Sequence, residues 1–130
     1  LGLAAYGDPT ILHDAVRARF RVENGVFRYA GANNHFFPRW LALHFRKKDI
    51  AAAYQKVLEE VVCEVVAFHL GATGETNVCL SGGVTANVKL NQCVAEVPGV
   101  TSLIVGGLNL KHFRQNWETA LRCRFPRPGC

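Results

Sequence analysis

Hydrophobic and polar positions change period several times along the chain, and each change predicts an element. Phe20-Arg-Val-Glu23 and Val26-Phe-Arg-Tyr29 alternate on either side of Asn24-Gly25, a dipeptide that suits a two-residue turn with positive φ, so a β-hairpin is predicted. Phe20 and Val22 share a face of one strand, Phe27 and Tyr29 a face of the other. Arg19, Arg21 and Arg28 face away and read as a solvated surface rather than an anion site. From Asp49 the period becomes helical, with Ile50, Tyr54, Val57, Leu58, Val61, Val62, Val65 and Leu70 as apolar positions. Asp49 is the expected cap and Gly71 the expected end of this long helix. It is apolar over much of its circumference, as a helix pressed onto a sheet would be. Glu59, Glu60 and Glu64 group to one side, and the i, i+4 pair Glu60 and Glu64 reads as exposed charge rather than metal ligands.

Val78-Cys-Leu80 is a short apolar run that predicts a strand buried on both faces. Ser81-Gly82-Gly83 breaks it, a helix is expected from Val84 to Glu96, and Pro98-Gly99 ends that helix. Val100 to Val105 reads as a second buried strand. Strand, helix and strand in about thirty residues form a parallel βαβ unit with a right-handed crossover, which sets the fold class as α/β. The remaining segments are less regular. Gly7-Asp8-Pro9 is turn chemistry, after which Thr10 is expected to cap a short helix with Leu12, Ala15, Val16 and Ala18 on one side. Gly31 to Pro38 has the composition of a loop. Trp40, Leu41, Leu43 and Phe45 form either a short helix or an apolar segment over the core. His13 and Asp14 are adjacent and are expected on different helix faces, which argues against a catalytic pair. His35 and His44 do not have a helical metal-ligand spacing.

With 130 residues, 49% of them hydrophobic, the chain is about one domain long and can bury a core. It contains no run of about 18 apolar residues and no signal-peptide pattern, so no membrane partner is expected and the cytoplasm is the expected compartment. Its five cysteines, Cys63, Cys79, Cys93, Cys123 and Cys130, are odd in number and singly spaced. They predict buried thiols rather than a disulfide framework or zinc site. Most of the net charge of +5 lies after Gly106, where Lys111, Arg114, Arg122, Arg124 and Arg127 face Glu118 alone. The body of the chain therefore offers no electrostatic case for nucleic acid.

The candidate chemistry lies at the glycine turn. Paired glycines permit positive φ and remove Cβ atoms, so backbone N–H groups at the following helix start can face a phosphate, which the helix dipole also favours. A purely structural strand-to-helix turn explains the same pattern.

Leu80-Ser-Gly-Gly-Val-Thr-Ala-Asn87-Val-Lys-Leu-Asn91 resembles the L-x-G-G-V-x-x-N-x-x-L-N signature of the carbamoyltransferase family, which includes nodulation-factor and antibiotic O-carbamoyltransferases. Leu1-Gly-Leu-Ala-Ala-Tyr-Gly7 is similar to that family's M-G-L-A-x-Y-G segment, and Asp49 to Glu60 resembles the helix that precedes its glycine turn. Three matches in the same order cover roughly positions 1 to 105. The resemblance implies part of an actin-like/hexokinase-like (ASKHA) nucleotide-binding domain over 1–105. It also implies ATP and carbamoyl phosphate as ligands, a carbamoyl adenylate intermediate, and transfer of the carbamoyl group to an acceptor hydroxyl. Carried over onto this chain, Ser81, Gly82, Gly83 and Val84 form the nucleotide-binding turn. Asn87 either contacts ligand or supports the turn, and Lys89 either supplies charge or lies on the helix surface.

Family enzymes bind a metal ion through upstream histidines and an aspartate in a G-D-G-G segment after the second strand. Here Gly106-Gly-Leu-Asn-Leu-Lys-His-Phe-Arg114 stands instead, and no aspartate follows Asp49. The expectation is a fragment that is inactive alone and carries no metal ligands, with residues 106–130 as an atypical basic tail produced by a shifted reading frame. Uncovered apolar surface would then favour self-association. The competing expectations are a non-catalytic α/β interaction module, or a relative of the tRNA threonylcarbamoyl-adenosine family, against which the Gly2 to Gly7 segment argues.

Overall fold

The computed structural model describes residues 2–31 and 36–106. The expected tail, with Cys123 and Cys130, and His35 within the expected loop lie outside the described residues. The chain opens with 3-10 turns at Gly2–Tyr6 and Pro9–Ile11, followed by helix α1 (His13–Arg17), strands β1 (Phe20–Glu23) and β2 (Val26–Tyr29), and helix α2 (Phe36–His44). Helix α3 (Lys47–Thr73) comes next, then β3 (Asn77–Leu80), a 3-10 turn (Gly83–Ala86), α4 (Val88–Ala95) and β4 (Ser102–Val105).

The hairpin forms as its alternation predicts. β1 and β2 pair antiparallel, with Phe20 opposite Tyr29 and Val22 opposite Phe27. Asn24 and Gly25 both take positive φ, 52° and 73°, which matches the turn to the strand twist. Arg21 and Arg28 pair across the exposed face. Arg19 instead lies just before β1 and stacks its guanidinium 4.4 Å from the Phe37 ring centroid. The hairpin tip rests on the C-terminal half of α3. A Cβ on Gly25 would stand 2.3 Å from Phe68, so the close approach needs glycine.

α3 organises everything before it. Its Ala53, Val57 and Val61 form one buried cluster with Leu12, Val16 and Leu41, and Phe20, Val22 and Tyr54 pack around that cluster. Of the two alternatives for the Trp40 segment, the helix is the one formed, and it places Leu41 in this core. Between the hairpin and α3 an apolar groove of about 400 Å³ remains, bordered by Phe20, Phe27, Tyr54 and Leu58.

The bounds of α3 correct the expectation of Asp49 to Gly71. The helix begins at Lys47, its N-cap is Arg46 with no side-chain cap bond, and it ends at Gly74, which takes the left-handed conformation. Asp49 is drawn inward for another purpose: its Oδ1 accepts from the Asp8 N–H at 2.9 Å and its Oδ2 from Arg46 Nε at 2.6 Å. Gly71 is simply carried through as a helical residue, because αL geometry becomes necessary only where the chain must turn toward β3. At the N-terminus, Asp8 rather than Thr10 caps the short 3-10 turn, accepting from the Thr10 N–H and hydroxyl.

β3 and β4 pair in parallel, Asn77 opposite Ser102 through Leu80 opposite Val105, with α4 as the crossover. The βαβ unit is therefore present and the molecule is α/β, with two small separate sheets. Neither strand is buried on both faces as its composition predicts. Val78 and Leu80 are half-buried while Cys79 is exposed, and Leu103, Ile104 and Val105 of β4 are all half-buried. The thiols depart from expectation as well: Cys79 is exposed, and Cys63 and Cys93 are half-buried between helices.

Candidate functional site: the glycine turn and the polar ladder behind it

Ser81, Gly82 and Gly83 leave the end of β3 as an exposed turn. Gly82 has φ 104°, a conformation that other residues rarely adopt. An added Cβ at Gly82 or Gly83 would meet nothing within 4 Å, so the space beside the turn is open. Val84 is 49% exposed on the same side. Thr85 closes the turn from within. Its hydroxyl, which can donate to one acceptor at a time, lies 2.7 Å from the Gly82 carbonyl and 3.1 Å from that of Gly106, tying the turn to the end of β4.

The helix predicted from Val84 does not start there. Gly83–Ala86 forms a four-residue 3-10 turn, Asn87 is extended at φ −84° and ψ 93°, and α4 begins at Val88. The cause is visible in the Asn87 side chain, whose Oδ1 accepts from the Leu90 N–H at 3.0 Å. An asparagine able to cap its own downstream helix favours a non-helical conformation for itself. The dipole of α4 thus ends at Asn87 and not at the glycines.

Asn87 is 7% exposed and also pairs amide to amide with Gln55 of α3. Its Nδ2 donates to Gln55 Oε1 at 2.8 Å, and Gln55 Nε2 donates back at 3.2 Å. Gln55 Nε2 donates as well to Glu59 Oε1 at 2.7 Å, and Lys89 Nζ of α4 lies 3.6 Å from that same oxygen. Glu59, expected on an exposed acidic side, is therefore buried at 5% exposure. A buried carboxylate needs partners, and one amide and one ammonium supply them. Gln55 and Glu59 were not among the predicted site residues. The available signal is a pair of polar residues four apart inside an otherwise apolar helical stretch.

Gln55 connects the turn to the other motif. A cavity of about 310 Å³ is lined by Ala4, Ala5 and Gly7 on one side and by Gln55, Lys56 and Lys89 on the other. The N-terminal segment reaches this position because Gly7 lacks a side chain; a Cβ there would stand 2.0 Å from the Lys48 carbonyl oxygen. Two stretches some eighty residues apart in sequence thus border one cavity, with two lysines at its edge. Of the predicted site residues, the structure draws Asn87 into the interior and leaves Ser81, Gly82, Gly83 and Val84 exposed.

His13 lies outside this region, and its side chain departs from expectation. Its Nδ1 is 2.9 Å from Asp14 Oδ1 and its Nε2 is 2.8 Å from Glu60 Oε2. The hydrogen bond to Asp14 first, and that to Glu60 second, raise the imidazole above the ordinary histidine value. Arg17 joins Glu64 at 2.6 Å, so Glu60 and Glu64 serve as anchors for α1. Asp49 is held below the usual carboxylate range, chiefly by the Asp8 N–H and then by Arg46. Among the described residues no group of three or more histidine, cysteine or acidic side chains has the arrangement to hold a metal ion, and no helix is long and apolar enough to cross a membrane.

Comparison with known proteins places these motifs in a family. Over 100 residues the chain is 29% identical to the nodulation protein NolO of Bradyrhizobium diazoefficiens, a match that covers 70% of this chain and 18% of that protein. The chain thus spans less than a fifth of the length of this relative. Residues 2–102 match the family model described as the carbamoyltransferase N-terminus, a span that includes the Ala4–Gly7 segment, the whole of α3 and the glycine turn. The chain therefore belongs to the carbamoyltransferase family.

Proposed function

We propose that this chain supplies the nucleotide-binding part of an O-carbamoyltransferase of actin-like architecture, and that it depends on further protein for complete carbamoyl transfer. The observation that carries the reading is the convergence of the Ala4–Gly7 segment and the Asn87–Lys89 segment on one cavity through Gln55. In this reading Ser81, Gly82, Gly83 and Val84 border the nucleotide, because the turn presents backbone without side chains in the way. Lys56 and Lys89 offer positive charge to its phosphates, while Asn87 acts from behind, holding the turn through its cap and its amide pair. ATP, when bound, would activate the carbamoyl group delivered by carbamoyl phosphate, before a hydroxyl acceptor receives it. Among the described residues no set fits the metal ion of the family.

The test is thermal unfolding with and without ATP, since a ligand that binds only the folded state raises Tm; at about ten times Kd the gain is about 1.4 kcal/mol. ATP is expected to stabilise the chain and Gly83→Val to abolish that shift while leaving unliganded stability intact, because the new side chain meets open space. No shift at millimolar ATP would refute the reading. The second reading, a non-catalytic interaction module, is favoured by the exposed apolar side chains of Val84 and Val88 beside β3. It predicts concentration-dependent association, with no response to ATP.

A further inference from the structure

We propose that Cys63 and Cys93 form a redox-active dithiol site, oxidised by peroxide to a disulfide that fixes α4 to α3. Two polar rungs connect these helices, and the cysteines follow them in the same order along both. Gln55 pairs with Asn87, Glu59 with Lys89, and Cys63 and Cys93 stand one turn beyond Glu59 and Lys89 on their own helices. Residues four apart share a helix face, so the register that sets Glu59 beside Lys89 brings Cys63 alongside Cys93 one turn on, close enough for the charge of one thiolate to act on the other. Both are half-buried, and Cys93 also shares a hydrogen bond with Glu59. Burial, followed by the charge each thiolate would feel from its neighbours, raises both thiols above the usual cysteine value. The charged groups facing the pair are Glu59, Glu96, Lys56 and Lys89.

Oxidation proceeds in two balanced steps. A thiolate takes one oxygen from peroxide, forming S–O as O–O breaks, and the released hydroxide leaves as water once protonated. The second thiol attacks that sulfur, S–S forms, S–O breaks, and a second water carries away the thiol proton. Two thiols and one peroxide give one disulfide and two waters. Since the thiolate is the reactive form, the reaction is slow at neutral pH and accelerates about tenfold for each unit of pH below the thiol pKa.

The experiment treats the full chain with hydrogen peroxide, blocks remaining thiols, and digests with trypsin and glutamyl endopeptidase without reductant. Cleavage at Glu60, Glu64, Glu75, Lys89 and Glu96 places Cys63, Cys79 and Cys93 on separate peptides. The expected product joins peptide 61–64 to peptide 90–96, lighter by about 2 Da than the two reduced peptides together, and dithiothreitol separates them. Recovery of both peptides as blocked or singly oxidised cysteines, or equal joining of each to Cys79, overturns the site. The mapping needs no variant; Cys93→Ser is expected to remove the product and leave Cys63 unpaired. The oxidised chain should also unfold at higher urea than the reduced chain, and an unchanged or lower midpoint overturns the helix-fixing role.

Discussion

Two faces of α3 are fastened to the rest of the molecule by different physics. One face meets α1, α2 and the hairpin through a sealed apolar cluster, in which Val16, Leu41 and Ala53 are completely buried. Another face meets α4 through a polar ladder, where Leu90, Val94 and Val97 are also deeply buried. Hydrophobic burial is non-directional and tolerates small shifts, whereas a ladder of amides and charges works only in register. The glycine-turn motif lies where the second kind of fastening operates, so the turn is positioned by specific hydrogen bonds.

Substitutions that set the two regions against each other make the contrast measurable. The largest loss is expected from Gly7→Val, which drives a Cβ into the Lys48 carbonyl where backbone cannot yield; urea unfolding should show a loss of about 3 kcal/mol or more, and a loss under about 1 kcal/mol would contradict the close approach. Leu41→Ala should cost about 2–5 kcal/mol by cavity formation. Asn87→Ala removes a cap and leaves Gln55 and Leu90 without their partner, for about 2 kcal/mol. A double-mutant cycle with Gln55→Ala should return a coupling of about 1 kcal/mol, and simple additivity would break the ladder. Val88→Thr, at a residue 76% exposed, should change stability by no more than about 0.5 kcal/mol.

The anchors of α1 respond to pH in a direction set by His13. Its imidazole is raised in the folded state, so its contribution is complete below the ordinary histidine value of about 6.5 and is lost as pH rises through the folded pKa. Unfolding midpoints should therefore fall more between pH 6 and pH 8 in the native chain than in His13→Gln, a difference of about 1 kcal/mol or less at this part-exposed site. Equal pH profiles would show that the imidazole contacts do not persist in solution.

Legibility in the sequence followed the range of the forces involved. Asn24-Gly25 between alternating runs predicts its hairpin because turn conformation and strand alternation are local. The βαβ unit is legible for the same reason, and so is the existence of α3. The ends of α3 and α4 are not, since Asp49 and Asn87 each have two possible uses and only the neighbouring segment decides between them. Asp49 is taken by the Asp8 N–H, 41 positions away. Asn87 caps α4 while reaching Gln55, 32 positions away. Cys79 sits in an apolar run that reads as interior, yet its exposure depends on what covers the second face of the sheet.

By itself the sequence determined the periods, the turns, the α/β class and the motifs that mark the family. Each arises from backbone preference or from residue chemistry within a few positions. The tertiary structure decided which side of α3 becomes polar interior, that Glu59 is buried while Lys56 stays exposed, and that the two motif segments border one cavity. A helix has a face in every direction, and only packing against segments tens of residues distant selects which faces become interior.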